Sequence, residues 1–231
     1  GKLPCRRRKS DCGVLSYSMV DAQYADYVVA ITDTLVPFPN IPASISMTDV
    51  DAVVVVDAIG DPVKIATGPA KTDNGMRKLL MARYTTEFLI HTPYYKEGFS
   101  YQTGAGGASL ASTGILVEHM RKDGIHMGQA LGGITKTMCD MMDEGLIDRI
   151  VDAQVFDTGA IESIKNHPGR HIEISTSEYA DPFNKASTSI ISTLYPRILE
   201  VDTHFNCNVV VDSSGMVTGA QGGHPDTAAG A

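Results

Sequence analysis

Two short runs of apolar, mostly β-branched residues stand out early in the chain. They read YVVAITD at residues 27–33 and AVVVVD at residues 52–57. Nearly continuous apolar runs of this length are typical of strands that a parallel sheet buries on both faces. Between them, the stretch VPFPNIP at 36–42 holds three prolines, which neither a helix nor a central strand tolerates. We therefore predict a loop there.

Farther along the chain, apolar residues recur at helical spacing. The stretch 76–88 follows Asp73 and Asn74, two good N-cap residues, and places its apolar residues on one face. Residues 86–92 then indicate a strand, and residues 108–121 a helix with a broad apolar stripe. Further strands are predicted at 125–130, 149–156 and 171–175. Further helices are predicted from 134 to the glycine at 145 and at 158–166. Strands at 199–211 and 216–219 flank DSSG and predict a hairpin.

Strands that alternate with helices predict an α/β fold with a largely parallel sheet. In such sheets ligands bind beyond the carboxyl ends of the strands. Three glycine-rich segments lie next to predicted strand ends: GAGG at 104–107, LGG at 131–133 and GAQGG at 219–223. A tight turn explains one such segment as well as a ligand site does. Three such segments together favour a ligand that lies against bare backbone.

A dinucleotide site is the first hypothesis for the GAGG segment, and its spacing argues against it. The third small position of a GxGxxG motif falls on Ser109, and no acidic residue ends the next predicted strand. A phosphate-binding P-loop fails as well, because no GK[ST] follows. The exposed N–H groups of such loops suit another task, which is to hold a thioester or the oxyanion of an attacked carbonyl.

Composition narrows the class of protein. The chain has 231 residues, of which 43% are hydrophobic, and a net charge of −8, which argues against nucleic acid as the main partner. No apolar stretch reaches the roughly 18 residues of a membrane span, and no signal peptide is evident, so we expect a cytoplasmic protein without a membrane partner. Four scattered cysteines predict reduced core thiols, and no metal site is expected. The start without Met and the abrupt end suggest a fragment.

Several segments, taken in order, closely resemble the α subunits of citrate lyase. They are SMVDAQYAD (18–26), LVPFPNIPASI (35–45), YYKEGFSYQTGAGGASLA (94–111), ALGGITKTM (130–138), HIEIS (171–175), EVDTHFNCNV (200–209) and GGHPDTAA (222–229). This resemblance runs from about residue 10 to residue 231. It implies an incomplete CoA-transferase-like fold, with the end of a first half at 1–70 and most of a second half at 71–231. Residues 186–198 depart from the family pattern, and Pro196 argues against a central strand there.

The resemblance also implies an activity and a set of partners. A citrate lyase α subunit exchanges acetyl on an acyl-carrier-protein thioester for citrate, which gives citryl thioester and acetate. The implied partners are the acyl carrier subunit, whose phosphopantetheine-type thioester acetyl-CoA can replace, and the citryl lyase subunit; we also expect an oligomer. Many CoA transferases attack with a glutamate, and the matching position here is Gly133, so the resemblance implies direct attack by the citrate carboxylate.

Other functions stay open at this point. A stand-alone CoA transferase or thioesterase would use free acyl-CoA, citramalate is an alternative acceptor, and a binding module would have no activity. We expect the glycine segments to hold the thioester and its oxyanion. The predicted site residues are Gly222, Gly223 and His224 for catalysis, Gly104, Gly106, Gly107, Gly132 and Gly133 for the thioester, and Lys96 and Asp226 for the carboxylates of citrate.

Overall fold

The computed structural model describes residues 13–61, 75–104, 106–181, 183, 193–195, 198–217 and 223–230. The helices are α1 (Ser16–Tyr24), α2 (Met76–Ile90), α3 (Gly107–Asp123), α4 (Lys136–Asp143), α5 (Thr158–Asn166), α6 (Thr176–Ala180) and α7 (His224–Gly230). The strands are β1 (Val29–Thr32), β2 (Ala52–Val55), β3 (Phe99–Thr103), β4 (Met127–Ile134), β5 (Ile150–Val155), β6 (His171–Glu173), β7 (Thr193–Tyr195), β8 (Glu200–Val201) and β9 (Cys207–Asn208). The predicted boundary at residue 70, Gly222 and most of the stretch 186–198 lie outside the described residues.

A five-stranded, fully parallel sheet forms the centre of the structure, in the order β6-β5-β4-β3-β7. The chain runs outward from β3 to β6, with a helix after each strand, and then returns to the other side of β3 as the edge strand β7. The strand order therefore reverses between β3 and β7, the kind of position where open α/β sheets bind ligands. The prediction of an α/β fold with a largely parallel sheet is confirmed.

Two apolar clusters cover the sheet. The larger one joins side chains of α3 and α4 with β3, β4 and β5, and includes Tyr101, Leu116 and Met142, all fully buried. The smaller one contains Leu131, Val151, Ala153, Ile174 and Tyr179. The helix α1 contacts β5 and α6, so the early part of the chain packs on this sheet. Within the described ranges, no helix is both long and apolar enough to cross a membrane.

The prediction of a strand at 86–92 is wrong, because α2 continues to Ile90. The predicted segment begins with Thr86, a β-branched residue that is common in strands, yet the helix accommodates it and its neighbour Thr85. The hydroxyl groups of Thr85 and Thr86 donate hydrogen bonds to the carbonyls of Met81 and Ala82, at 2.8 and 2.9 Å. A threonine that bonds to the preceding turn fits within a helix, so its sequence signal for a strand is weak.

Two more boundaries differ from the prediction. The LGG segment and Ile134 lie inside β4, and α4 starts only at Lys136. The predicted strand at 199–211 is interrupted, because the Asp202 carboxylate accepts the backbone N–H groups of His204 and Asn206 and turns the chain. β8 and β9 pair antiparallel across this turn, and a single antiparallel bridge encloses DSSG.

The predicted strands β1 and β2 pair in parallel, but they are not buried as expected. In the described part of the chain they pair only with each other, and the exposed fractions of Val53 and Val55 are 54% and 56%. The loop prediction at 36–42 is confirmed. Of the two cysteines described, Cys139 lies in the core as predicted, where burial raises the pKa of its thiol to about 12, and Cys207 is exposed.

Candidate functional site

The first glycine segment lies at the reversal of strand order. β3 ends at Thr103, Gly104 follows it, and α3 begins at Gly107, so the segment joins the carboxyl end of β3 to the amino terminus of a helix of 17 residues. Backbone N–H groups in the first turn of a helix lack intrahelical acceptors and favour a negative charge. Its N-cap residue, Gly106, has no side chain that could cap the helix. The segment is thus placed where an anionic group is best stabilised.

Gly106 has room for a side chain. It is the N-cap residue of α3, with φ −75° and ψ 150°, a conformation that any residue adopts. No atom of the described protein lies within 4 Å of the position that a Cβ atom would take there. Neither backbone geometry nor packing within the described residues therefore requires a glycine at this position.

Gly132 and Gly133 are explained differently. They lie near the carboxyl end of β4, where the register with β5 shifts between them. Gly132 has φ +96°, and a Cβ atom there would lie 2.7 Å from the Tyr179 hydroxyl oxygen and 3.1 Å from Gln102. A Cβ atom on Gly133 would overlap the ring of Phe156. Protein side chains fill the space beside this pair, so packing accounts for both glycines.

The third segment is described only from Gly223 onward. Gly223 precedes α7, and a Cβ atom there would lie 3.0 Å from the Tyr17 hydroxyl oxygen. His224 is half-buried at the start of α7, and Asp226 lies within that helix. The helix α7 packs against α6, whose Tyr179 reaches Gly132. These contacts connect the third segment with the second, through α6.

Lys96 is not brought to this edge of the sheet. It is an exposed residue three positions before β3 begins, so it lies at the amino end of the strand whose carboxyl end carries Gly104. A strand of five residues spans about 16 Å. The proposed pairing of Lys96 with a carboxylate of citrate at the glycine segments is therefore inconsistent with the direction of β3.

Three residues at the carboxyl edge were missed in the sequence. Gln102 and Thr135 are buried, at 8% and 4% exposure, and each has a side-chain oxygen without a hydrogen-bond partner among the described residues. Lys136 is exposed and supplies a cation to this edge, with its Nζ 2.6 Å from Oδ1 of Asp140. All three fall within segments that carry the family resemblance. Nothing in the sequence, however, distinguished them from ordinary strand and helix residues.

Asp157 explains why the Thr135 hydroxyl is left unpaired. Thr135 is the N-cap residue of α4 but does not cap it. Instead, Oδ2 of Asp157 accepts the N–H of Lys136 at 2.8 Å, and Oδ1 accepts the N–H of Ala160, in α5, at the same distance. One carboxylate therefore caps two helices, and the Thr135 hydroxyl stays available for a ligand.

We expect Asp157→Ala to lower the free energy of unfolding by about 1–3 kcal/mol, because it removes two capping bonds at once. Urea unfolding of the chain measures the change. Asp157→Asn is the control, since it keeps one carbonyl oxygen and should lose less. A loss below about 0.5 kcal/mol, the range of an ordinary surface substitution, would show that the two caps are not formed.

A Ser–His–Asp chain lies inside the protein, away from this edge. Oγ of Ser163 is 3.0 Å from Nε2 of His171, and Nδ1 of His171 is 2.9 Å from Oδ2 of Asp152. The order matches a hydrolase triad, but the exposed fractions of Asp152 and His171 are 0% and 1%. Burial raises the pKa of Asp152, and His171 opposes that shift. Because Ser163 is buried as well, at 6% exposure, we assign this Ser–His–Asp group a structural role.

A cavity of about 510 Å³ lies between α1, β1 and the proline-rich loop. Its polar lining includes Asp21 and the carboxylate of Glu173, which accepts hydrogen bonds from the Leu15 N–H and the Ser44 hydroxyl. None of its lining residues is a lysine or an arginine, so it does not suit a tricarboxylate. It contains none of the predicted site residues.

Comparisons with known proteins agree on one family. The family model of the citrate lyase alpha subunit matches residues 4–231. The citrate lyase alpha chain of Klebsiella pneumoniae is 48% identical over 224 residues, which are 96% of this chain and 44% of that one. That of Haemophilus influenzae is 46% identical over 224 residues, with 96% and 45% covered.

A solved structure agrees with these relatives. The alpha subunit of citrate lyase from Streptococcus mutans, in complex with citrate, superimposes with a TM-score of 0.88 at 49% identity. The match covers 99% of this chain and 45% of that subunit, so the chain spans less than half the length of its relatives. Since the match extends over nearly all of its residues, in sequence and in fold, the chain belongs to the citrate lyase alpha subunit family.

Proposed function

We propose that this chain is part of an acyltransferase that exchanges acetyl on an acyl-carrier-protein thioester for citrate. The products are citryl thioester and acetate. The acyl carrier subunit supplies the phosphopantetheine-type thioester as a substrate, and the citryl lyase subunit consumes the citryl thioester. Membership in the citrate lyase alpha subunit family and the citrate complex of the Streptococcus mutans relative support this proposal.

The exchange proceeds without a covalent enzyme intermediate. A terminal carboxylate oxygen of citrate attacks the thioester carbonyl carbon, the C–S bond breaks, and a mixed anhydride and a thiolate form. Attack of that thiolate on the citryl carbonyl of the anhydride breaks its C–O bond to acetate, which leaves with the electron pair. No proton is gained or lost overall, so the reaction needs no general acid or base.

Binding and positioning then supply the catalysis. Holding the carboxylate and the thioester in line contributes up to roughly 7–11 kcal/mol. Each tetrahedral oxyanion needs hydrogen-bond donors, and the start of α3, whose N-cap residue Gly106 has no side chain, offers backbone N–H groups at the carboxyl edge. Lys136 places an ammonium group at this edge, where it forms an ion pair with Asp140. Water must be excluded, because it would hydrolyse the thioester.

The bare backbone at Gly106 carries this proposal. Nothing in the described protein excludes a side chain there, although the position starts a helix and polar N-cap residues are common at such positions. A substrate that passes close to this backbone gives the glycine a function. The thioester arm is such a substrate, because it is long and narrow.

A complete-length subunit that carries this chain tests the function. With acetyl-CoA as the surrogate donor, we expect acetate release that depends on citrate, together with formation of citryl-CoA. Citramalate in place of citrate compares the two acceptors. Absence of acetate with either acceptor would contradict the transferase proposal, and absence of binding in separate titrations of acetyl-CoA and citrate would favour a binding module. A glutamyl adduct trapped by hydroxylamine would favour a stand-alone CoA transferase.

A further inference from the structure

Gln102 is oriented by its own strand. It is the second-last residue of β3, and its Nε2 donates a hydrogen bond to the Thr103 carbonyl at 3.3 Å. A carbonyl only accepts hydrogen bonds, so the nitrogen end of this amide must face Thr103 and the oxygen must point away. In the described part of the chain that oxygen, Oε1, has no partner, and the side chain is only 8% exposed.

The position of Gln102 is the reversal of strand order itself. It pairs in register with Leu131 of β4 on one side and with Leu194 of β7 on the other. Gly132, with φ +96°, leaves its side-chain space to the Gln102 amide and the Tyr179 hydroxyl. The sheet is thus shaped around a buried carboxamide next to the glycine segment that precedes α3. A buried acceptor without a donor is rare in proteins, so this one points to a missing ligand group.

The chemistry of the two substrates limits what that group is. Carboxylates and a thioester accept hydrogen bonds and donate none. The donors that remain are the tertiary hydroxyl of citrate and, in the thioester arm, the amide N–H groups and the pantoyl hydroxyl. The citrate hydroxyl is attached to the compact acid that the Streptococcus mutans relative holds, whereas the donors of the arm sit within a long chain that needs an extended groove.

We propose that Oε1 of Gln102 accepts a hydrogen bond from the hydroxyl of citrate and thereby selects hydroxy acids as acceptors. This inference rests on the proposed function and adds a specificity residue to it. Removing the hydroxyl from the ligand leaves a buried acceptor unpaired, which is how a site rejects an analogue that lacks a polar group. Citrate and citramalate both carry the hydroxyl, so Gln102 does not distinguish between them.

Titration calorimetry of a complete-length subunit that carries this chain provides the test. The ligands are citrate and propane-1,2,3-tricarboxylate, which has the same three carboxylates and no hydroxyl. We expect the unmodified subunit to prefer citrate by at least about tenfold. In Gln102→Met, which keeps the length of the side chain, the ratio should fall to about one through weaker binding of citrate alone.

Gln129→Met is the matched control, because Gln129 is a half-buried glutamine of β4 far from its carboxyl end. It should keep the preference for citrate. Circular dichroism checks that both variants fold. The ratio of the two affinities in the unmodified subunit is a test that does not depend on the folding of Gln102→Met. An unmodified subunit that binds both acids equally well, or a Gln102→Met variant that keeps the ratio, would overturn the inference.

Two further outcomes separate this inference from the function on which it rests. If Gln102→Met weakens acetyl-CoA binding and keeps the citrate preference, the donor belongs to the thioester arm and the inference fails while the function stands. If the unmodified subunit binds neither acid, the proposed function fails and the inference fails with it.

Discussion

Gly106→Val is expected to reduce citrate-dependent acetate release at least about 100-fold in a complete-length subunit, while the protein still folds. The valine side chain has space, since no described atom lies within 4 Å of its Cβ position, and the backbone is already in an ordinary extended conformation. The same side chain would lie between the first turn of α3 and a substrate held against it. A displacement of about 1 Å is enough for a loss of this size.

Gly114→Val is the matched control for this prediction. Gly114 is an exposed residue of the same helix, two turns later, and also has open space around its Cβ position. Its substitution should leave the initial rate of acetate release unchanged. Thermal unfolding followed by circular dichroism verifies that both variants fold, with at most about 1 kcal/mol lost at the N-cap. A Gly106→Val variant that folds and retains its full rate would show that no substrate approaches this backbone.

The glycine segments were evident in the sequence, but the reason for each glycine was not. GAGG and LGG gave the same signal, a glycine pair next to a strand end. In the structure, Gly133 makes room for the Phe156 ring and Gly132 for the Tyr179 hydroxyl, whereas Gly106 makes room for nothing in the described protein. That difference depends on residues distant in sequence, so no local pattern contains it. It leaves the GAGG segment as the better candidate for a ligand site.

The placement of Lys96 depended on where the strand before the GAGG segment begins. The predicted strand at 86–92 would put Lys96 after it, on the side of Gly104. Because β3 begins only at Phe99, Lys96 precedes the strand and Gly104 follows it, at opposite edges of the parallel sheet. Gln102 and Thr135 were not predictable, because what distinguishes them is a side-chain oxygen without a hydrogen-bond partner among the described residues. The Thr135 hydroxyl is unpaired because Asp157, 22 residues later, caps α4 in its place.

Helix and strand types were predictable where the periodic pattern was long. The structure has α5 at the predicted bounds and α3 within two residues of them. Two of the failures lie at 86–92 and at 134, where short apolar or β-branched runs fit a helix and a strand equally well. In both cases the neighbouring element decided the outcome, because α2 packs along α3 and β4 pairs with β5 as far as Ile134.

His171→Ala is expected to lower the free energy of unfolding by about 3–5 kcal/mol near pH 7, a large effect for a single substitution. The substitution leaves the Asp152 carboxylate buried without its partner, with Oδ1 already unpaired. It also removes the ring nitrogen with which the Ser163 hydroxyl forms a hydrogen bond. His167→Ala is the control, because the His167 side chain is 41% exposed and its ion pair with Asp143 contributes at most about 1 kcal/mol.

The pH dependence identifies buried charge as the cause. Burial raises the pKa of Asp152 and His171 lowers it, so removing His171 raises the folded-state pKa further. Between the unfolded-state pKa of about 3.9 and that higher value, the folded chain holds a proton that the unfolded chain releases. Stability therefore falls as pH rises through this window, by up to about 1.4 kcal/mol per pH unit. Urea unfolding of His171→Ala at pH 5 and pH 8 measures the slope.

The double variant His171→Ala with Asp152→Ala should regain stability at pH 8, because it removes the unpaired charge. If the double variant is less stable than His171→Ala at both pH values, lost packing is the cause instead.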